Sequence, residues 1–206
     1  MKKLLVLLFS IFFLSSPFVF ADDISDFQIE GISIGDSLLD YMTEEEILEE
    51  IEQYDGYQFL QEPYKYTEVF LFTEGQLYED FSFMFKSSPS SGYITNKNER
   101  YSILFIRGMI DYIEDFDSCI QKRDEIAGEL SKMFPNAQKD ETSYSHRADP
   151  SGNSVKDDIY FVFNSGDEVE VSCDNFEEDL RSKKNWTEGL NVVIVTDEIL
   201  RWFRGE

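Results

Sequence analysis

"DIYFVFNSGDEVEVSCD", residues 158–174, decides how this chain folds. Ile159, Phe161 and Phe163 recur at every second position, and so do Val169, Val171 and Cys173. A period of two puts all six side chains on one face of an extended backbone. "NSGD" between the runs supplies turn residues, including a glycine, so the two strands fold back as an antiparallel hairpin.

Working outward, more strands arrive without intervening helices. "LNVVIVT" (190–196) reads as a buried strand, and Thr196 can cap a last short helix, "DEILRWFRG", anchored by Trp202. "NFEEDLRSKKNWTEG" (175–189) reads as a charged connector, whose "NWT" at Asn185 is a glycosylation sequon only in a host that glycosylates. The polar stretch 136–158 suggests one irregular strand near Thr142–His146 and then a loop through Pro150 and Gly152. Before it, "DSCIQKRDEIAGELSKMFP" (117–135) has apolar residues at helical spacing, with Ser118 and Gln121 as a capping pattern and Pro135 as its stop.

The first half repeats this rhythm. "FQIEGISIG" (27–35) predicts a short strand, and Ser37 an N-cap for the turn "LLDYM". Thr43 with Glu46 forms a capping box for a helix reaching about Gln53. "YTEVFLFTEG" (66–75) and the period-two run Phe81, Phe83, Phe85 are strands, "SSPSSGYITNKNE" (87–99) is a polar loop, and 100–115 is a long strand with Gly108 marking a bulge. Strands in consecutive runs predict an α+β fold with a largely antiparallel sheet and helices packed on one face. Two organisations fit: a single α+β domain over 22–206, or two similar halves, about 22–135 and 136–206.

Residues 1–21 read as a signal peptide. Lys2 and Lys3 precede an apolar run, and Val19 and Ala21 are the small residues a peptidase reads, so cleavage falls between Ala21 and Asp22. No later stretch is long and apolar enough to span a membrane. The expectation is an exported protein, periplasmic or extracellular. The remaining 185 residues carry 16 basic and 42 acidic side chains, a net charge of −26. Such a charge repels phosphate backbones, which argues against nucleic acid, and attracts basic proteins or divalent cations. With 16% aromatic residues the chain is not a disordered acidic tail. In an oxidising compartment Cys119 and Cys173 invite a disulfide, the alternative being two buried thiols.

"ISIGDSLLDY" (32–41) contains Gly-Asp-Ser-Leu, which resembles the nucleophile block of GDSL (SGNH) hydrolases. That resemblance implies Ser37 as nucleophile with a histidine as base. The one histidine, His146, has Ser143 rather than aspartate three residues before it, and no Gly-x-Asn-Asp block follows. The resemblance covers about five residues, and an N-cap role explains Ser37 equally. Among the many carboxylates, Asp149, Ser151 and Asn153 come nearest to calcium-loop spacing, but Gly152 is misplaced for it. One histidine and two separated cysteines make no zinc set, and we expect no cofactor.

Taken together, "FQIEGISIGDSLLDYMTEEEI", "DSCIQK", "VEVSC" and "NVVIVTDEILRWF" resemble a group of small, uncharacterised exported proteins of marine bacteria. The resemblance implies a signal peptide and a shared fold over most of the mature chain, and no activity, so no site residue is carried over. The sequence therefore points to a non-catalytic binding or interaction module. The alternatives are a serine hydrolase using Ser37 and His146, or a calcium-stabilised structural protein.

Overall fold

Alternation of apolar side chains builds one continuous seven-stranded sheet. The computed structural model describes residues 23–73, 77–87, 97–184 and 186–206. Residues 1–22, with the Ala21–Asp22 cleavage, most of the loop 87–99, and Asn185 therefore lie outside the described residues. In chain order the elements are α1 (Glu44–Gln53), β1 (Tyr66–Phe72), β2 (Asp80–Lys86), α2 (Lys97–Arg100) and β3 (Phe105–Asp111). They continue with α3 (Phe116–Met133), β4 (Gln138–Ser145), β5 (Val155–Val162), β6 (Glu168–Asn175), α4 (Glu178–Lys184), β7 (Gly189–Val195) and α5 (Asp197–Arg204). The strand order is β1-β2-β3-β7-β6-β5-β4, and every pair is antiparallel. The fold is mixed α+β, as the hairpin pattern predicts. The last strand closes the sheet by inserting between β3 and β6, so one ladder joins residues before and after position 135.

The registers sort every strand residue to one of two faces. Phe81, Phe83 and Phe85, Leu190, Val192 and Ile194, Val169, Val171 and Cys173, and Ile159 and Phe161 lie on the first face. They form the main core with Ile47 of α1 and Cys119, Ala127 and Leu130 of α3. Met84, Phe105, Val193 and Val195 lie on the second face and pack with Tyr66, Ile199 and Trp202. The helices are thus not confined to one face. α5 is carried to the second face because its strand, β7, is apolar on both sides. Trp202 is buried there, its Nε1 donating to the carbonyl of Glu62 at 2.9 Å, with Tyr57 and Tyr66 edge-on to its ring.

Several local readings are corrected. Residues 27–35 form no strand: Glu30 and Gly31, at φ 51° and 83°, turn the chain so that Ile29 and Ile32 pair and both enter the core. Gly108 sits in a regular ladder, not a bulge. A Cβ there would lie 2.6 Å from the Tyr78 ring, so close approach explains the glycine. The third helix is capped by Asp115, whose Oδ1 accepts from Ser118 N at 3.3 Å; Ser118 lies inside the helix because the first turn begins at Phe116. β4 is a regular eight-residue strand, and the 175–189 connector contains α4. Thr196 precedes α5 without a side-chain cap bond; Asp167, from the β5–β6 turn, instead accepts from Asp197 N at 2.8 Å. Thr43 makes the full capping box with Glu46, and Ser37 Oγ accepts from Leu39 N at 3.3 Å to cap a 3-10 turn, Leu38–Asp40.

Cys119 and Cys173 are joined in a disulfide with Cα atoms 6.0 Å apart, tying α3 to β6. The loop it closes has a sequence separation of 54. In the chain-entropy model this stabilises by about 4 kcal/mol. Cys119→Ala/Cys173→Ala should lose roughly that amount in urea unfolding, and an unchanged midpoint would refute the role. Trp202→Ala should cost about 3–5 kcal/mol, because it empties the centre of the second core; thermal unfolding checks it.

Candidate functional site

Beyond the second core, the same face of the sheet turns polar. "VKDDIYFV" places Lys156, Asp158, Tyr160 and Val162 on it, and "EVEVSCDN" places Glu168, Glu170, Ser172 and Asp174 there. Asn191 of β7, Arg107 of β3 and Ser82 of β2 continue the strip, and Asp140 and Tyr144 of β4 border it. α5 stands along one side. Between them lies a cleft of about 690 Å³, lined by Asp140, Tyr144, Lys156, Tyr160, Glu168 and Glu170 from the sheet. Leu200, Phe203 and Arg204 of α5, and His146 and Arg147 of the β4–β5 turn, complete its walls. Arg147 and Arg204 are exposed at the rim, whereas Lys156, Tyr160, Glu168 and Glu170 are half-buried.

The floor is an ionic network. Lys156 Nζ donates to Glu170 Oε1 at 2.7 Å and lies 3.5 Å from Asp158 Oδ1. Tyr160 donates to Asp158 Oδ2, and Asn191 Nδ2 donates to Asp174 Oδ2 at 2.9 Å. Burial alone would pull the Lys156 ammonium down, but the charges of Glu170, Asp158 and Asp174 overcome it and hold it above the usual range. Three carboxylates face this one ammonium. Burial, reinforced by the charge of Glu170, raises Asp158 and pushes Glu168 up to about 7. Asp174 rises to about 6, chiefly through burial, with Lys156 opposing. Burial also raises Tyr160 strongly.

Five polar atoms of the strip are buried without a hydrogen-bond partner: Ser82 Oγ, Arg107 Nε, Asp158 Oδ1, Ser172 Oγ and Asp174 Oδ1. They are five of the seven such atoms among the described residues, so they mark this face. Asp158 Oδ1 keeps its ion pair with Lys156; for the other four, an unmet hydrogen bond costs about 1–3 kcal/mol each. A purely structural sheet face gains nothing from carrying them.

The residues singled out in the sequence lie apart. Ser37 is 8% exposed, bridges Ser102 and caps its turn, whose Leu38 belongs to the main core. His146 lines the cleft on the other face, its ring 5.3 Å from Phe176 and from Trp186 and its Nδ1 accepting from Ala148 N. Burial and the Lys156 charge lower its pKa. No contact among the described residues joins Ser37 to His146. Asp149 spends its oxygens on its own loop. Oδ1 accepts from Ser151 N and Oγ, Oδ2 accepts from Ser154 N, and these bonds hold the carboxyl well below the usual range. Ser151 Oγ in turn accepts from Asn153 N. Among the described residues no three His, Cys, Asp or Glu side chains are placed to hold a metal ion, and no helix is long and apolar enough to cross a membrane.

Sequence reasoning missed Lys156, Tyr160, Glu168 and Glu170. The signal was present: these are the positions alternating with the apolar residues of the opening hairpin. Comparison with family models, with characterised proteins and with solved structures finds no match.

Glu168 and Asp174 bind protons more tightly in the folded chain than the ordinary values of 4.5 and 3.8. Folding therefore takes up protons between pH 4 and 7, and stability falls as pH rises through that window. His146, with a lowered pKa, opposes this just below pH 6.5. Urea unfolding at pH 5 and pH 8 should show the wild type losing more stability on the rise than Glu168→Gln/Asp174→Asn; equal losses would contradict these environments.

Proposed function

We propose that this protein is an exported, non-catalytic binding module that takes a small polar molecule into the cleft beneath α5. One observation carries the reading: the cleft lies over a half-buried ionic network, on the sheet face that holds five buried polar atoms without a hydrogen-bond partner. A site of several hundred Å³, with aromatic and aliphatic walls and a few converging polar groups, has the make-up of a small-molecule pocket. Tyr144, Tyr160, Phe203, Leu200 and Val162 supply the apolar surface, and the carboxylates, Lys156, Arg147 and Arg204 the polar groups. The disulfide supports export, since such bonds persist in oxidising compartments. The signal-peptide reading of residues 1–21 and the resemblance to exported marine bacterial proteins point the same way.

The test is a fragment screen by NMR on the mature chain. Polar fragments should perturb amides of β5, β6 and α5. Val162→Trp, which fills the cleft from its wall, should weaken them by at least about tenfold. Perturbations confined to other surfaces, or none at all, would overturn the reading.

A further inference from the structure

The side chains that line the cleft separate into those already bonded and those open to a ligand. Lys156 is spent on Glu170, and the Tyr160 hydroxyl on Asp158. Asp140 accepts from Gln138 Nε2 at 2.8 Å through Oδ2, which leaves Oδ1 open. Among the described residues the side chains of Glu168, Arg147 and Arg204 make no hydrogen bond or ion pair. All four open groups border the cleft itself, a space of about 690 Å³, so whatever enters it meets them directly.

Strand register sets these groups around an apolar floor. Asp140 of β4 stands opposite Tyr160 of β5, and Glu168 of β6 stands opposite Val162, the next β5 position on that face. Tyr160 and Val162 therefore lie between two open acceptors. β4 and β6 are two strand spacings apart, roughly 10 Å. That is wide enough for one sugar ring with a hydrogen bond on each side. Leu200 and Phe203 of α5 wall the floor, and Tyr144, 37% exposed, offers a further ring at the β4 border. Arg147 and Arg204 bring donors from the β4–β5 turn and from α5.

The charge of this lining is balanced from within. Lys156, Arg147 and Arg204 stand against Asp140, Glu168 and Glu170, three of each sign, and the lowered pKa of His146 leaves it neutral. An anionic ligand would gain the guanidiniums and meet the carboxylates; a cationic ligand would do the reverse. A neutral hydroxyl gains from both, because it donates to a carboxylate and accepts from a guanidinium. Bonds to charged groups are also the strong ones. Acceptors on both sides of an apolar floor suit a ring with hydroxyls around its edge and an apolar face. We propose that the cleft binds a neutral mono- or disaccharide, its hydroxyls donating to Asp140 and Glu168 and accepting from Arg147 and Arg204, its ring face lying on Tyr160, Tyr144 or Phe203. The inference rests on the binding-module reading and names its ligand class.

NMR titration of the mature chain at pH 8, above the Glu168 value of about 7, tests it. The probes are glucose, galactose, mannose, maltose and cellobiose, with glucosamine, galactosamine, glucuronate and galacturonate as charged counterparts of the same ring. At least one neutral sugar should perturb amides of β4, β5, β6 and α5, and bind at least about tenfold more tightly than its charged counterparts. This comparison on the wild type needs no variant to fold. Tyr144→Ala and Asp140→Ala, both at exposed positions, should each weaken that sugar about tenfold with the urea midpoint unchanged. Full affinity in both variants would refute the assignment of these groups, and tighter binding of an amino sugar or a uronate would refute the neutral ligand. If other polar fragments occupy the cleft and Val162→Trp blocks them, while no sugar does, the saccharide is refuted and the cleft stands. If no probe or fragment perturbs the cleft, both fall.

Discussion

The structure depends on β7 being apolar on both faces. Leu190, Val192 and Ile194 enter the main core, while Val193 and Val195 enter the second. Only such a strand can sit centrally, hydrogen-bonded to β3 on one edge and β6 on the other, with α1 and α3 over one face and α5 over part of the reverse. Because β7 is also the last strand made, the two meanders β1–β3 and β4–β6 join only when the C-terminal segment has arrived. Pairings of such long range carry a large loop-closure cost before they are rewarded.

The edges of the sheet follow from the same layout. β4 is exposed along its whole length and carries Lys139, Asp140 and Glu141, charges that discourage pairing with another chain. At the opposite edge, Glu50 of α1 accepts from the amide of Phe70 at 3.2 Å, covering one otherwise free donor of β1.

Much of this architecture was legible in the residues, and what was lost has identifiable physical causes. The hairpin at 158–174, the Phe81/Phe83/Phe85 strand, the Thr43 capping box and the 116–133 helix all rest on local periodicity or local hydrogen bonds, which a sequence displays directly. The Ile29–Ile32 turn was misread because alternation there reflects two residues dipping into the core around a left-handed Glu30-Gly31 pair. Gly108 was misread because its reason, the Tyr78 ring, is remote in sequence. The polar strip was half legible: "VKDDIY" and "EVEVSCD" display it as alternate positions. That these positions are covered rather than solvated depends on α5 crossing to the second face, which follows from tertiary packing. Gly-Asp-Ser-Leu is the more conspicuous motif, yet its serine is explained by the turn it caps.

β6 couples the two sides of the molecule. On one face it presents Val169, Val171 and Cys173, the last bonded covalently to α3. On the other it presents Glu168 and Glu170, which line the cleft, with Ser172 and Asp174 further along the same face. Arg123 of α3, nearly buried and paired with Asp157 of β5, adds a second tie between that helix and the neighbouring strand. The helix and disulfide thus hold rigid the two strands that bear the ionic network. A floor with unpaired buried oxygens tends to relax by moving a strand or admitting solvent, and anchoring from behind opposes both. The covalent bond on the apolar face thus backs the strand whose reverse side carries Ser172 and Asp174.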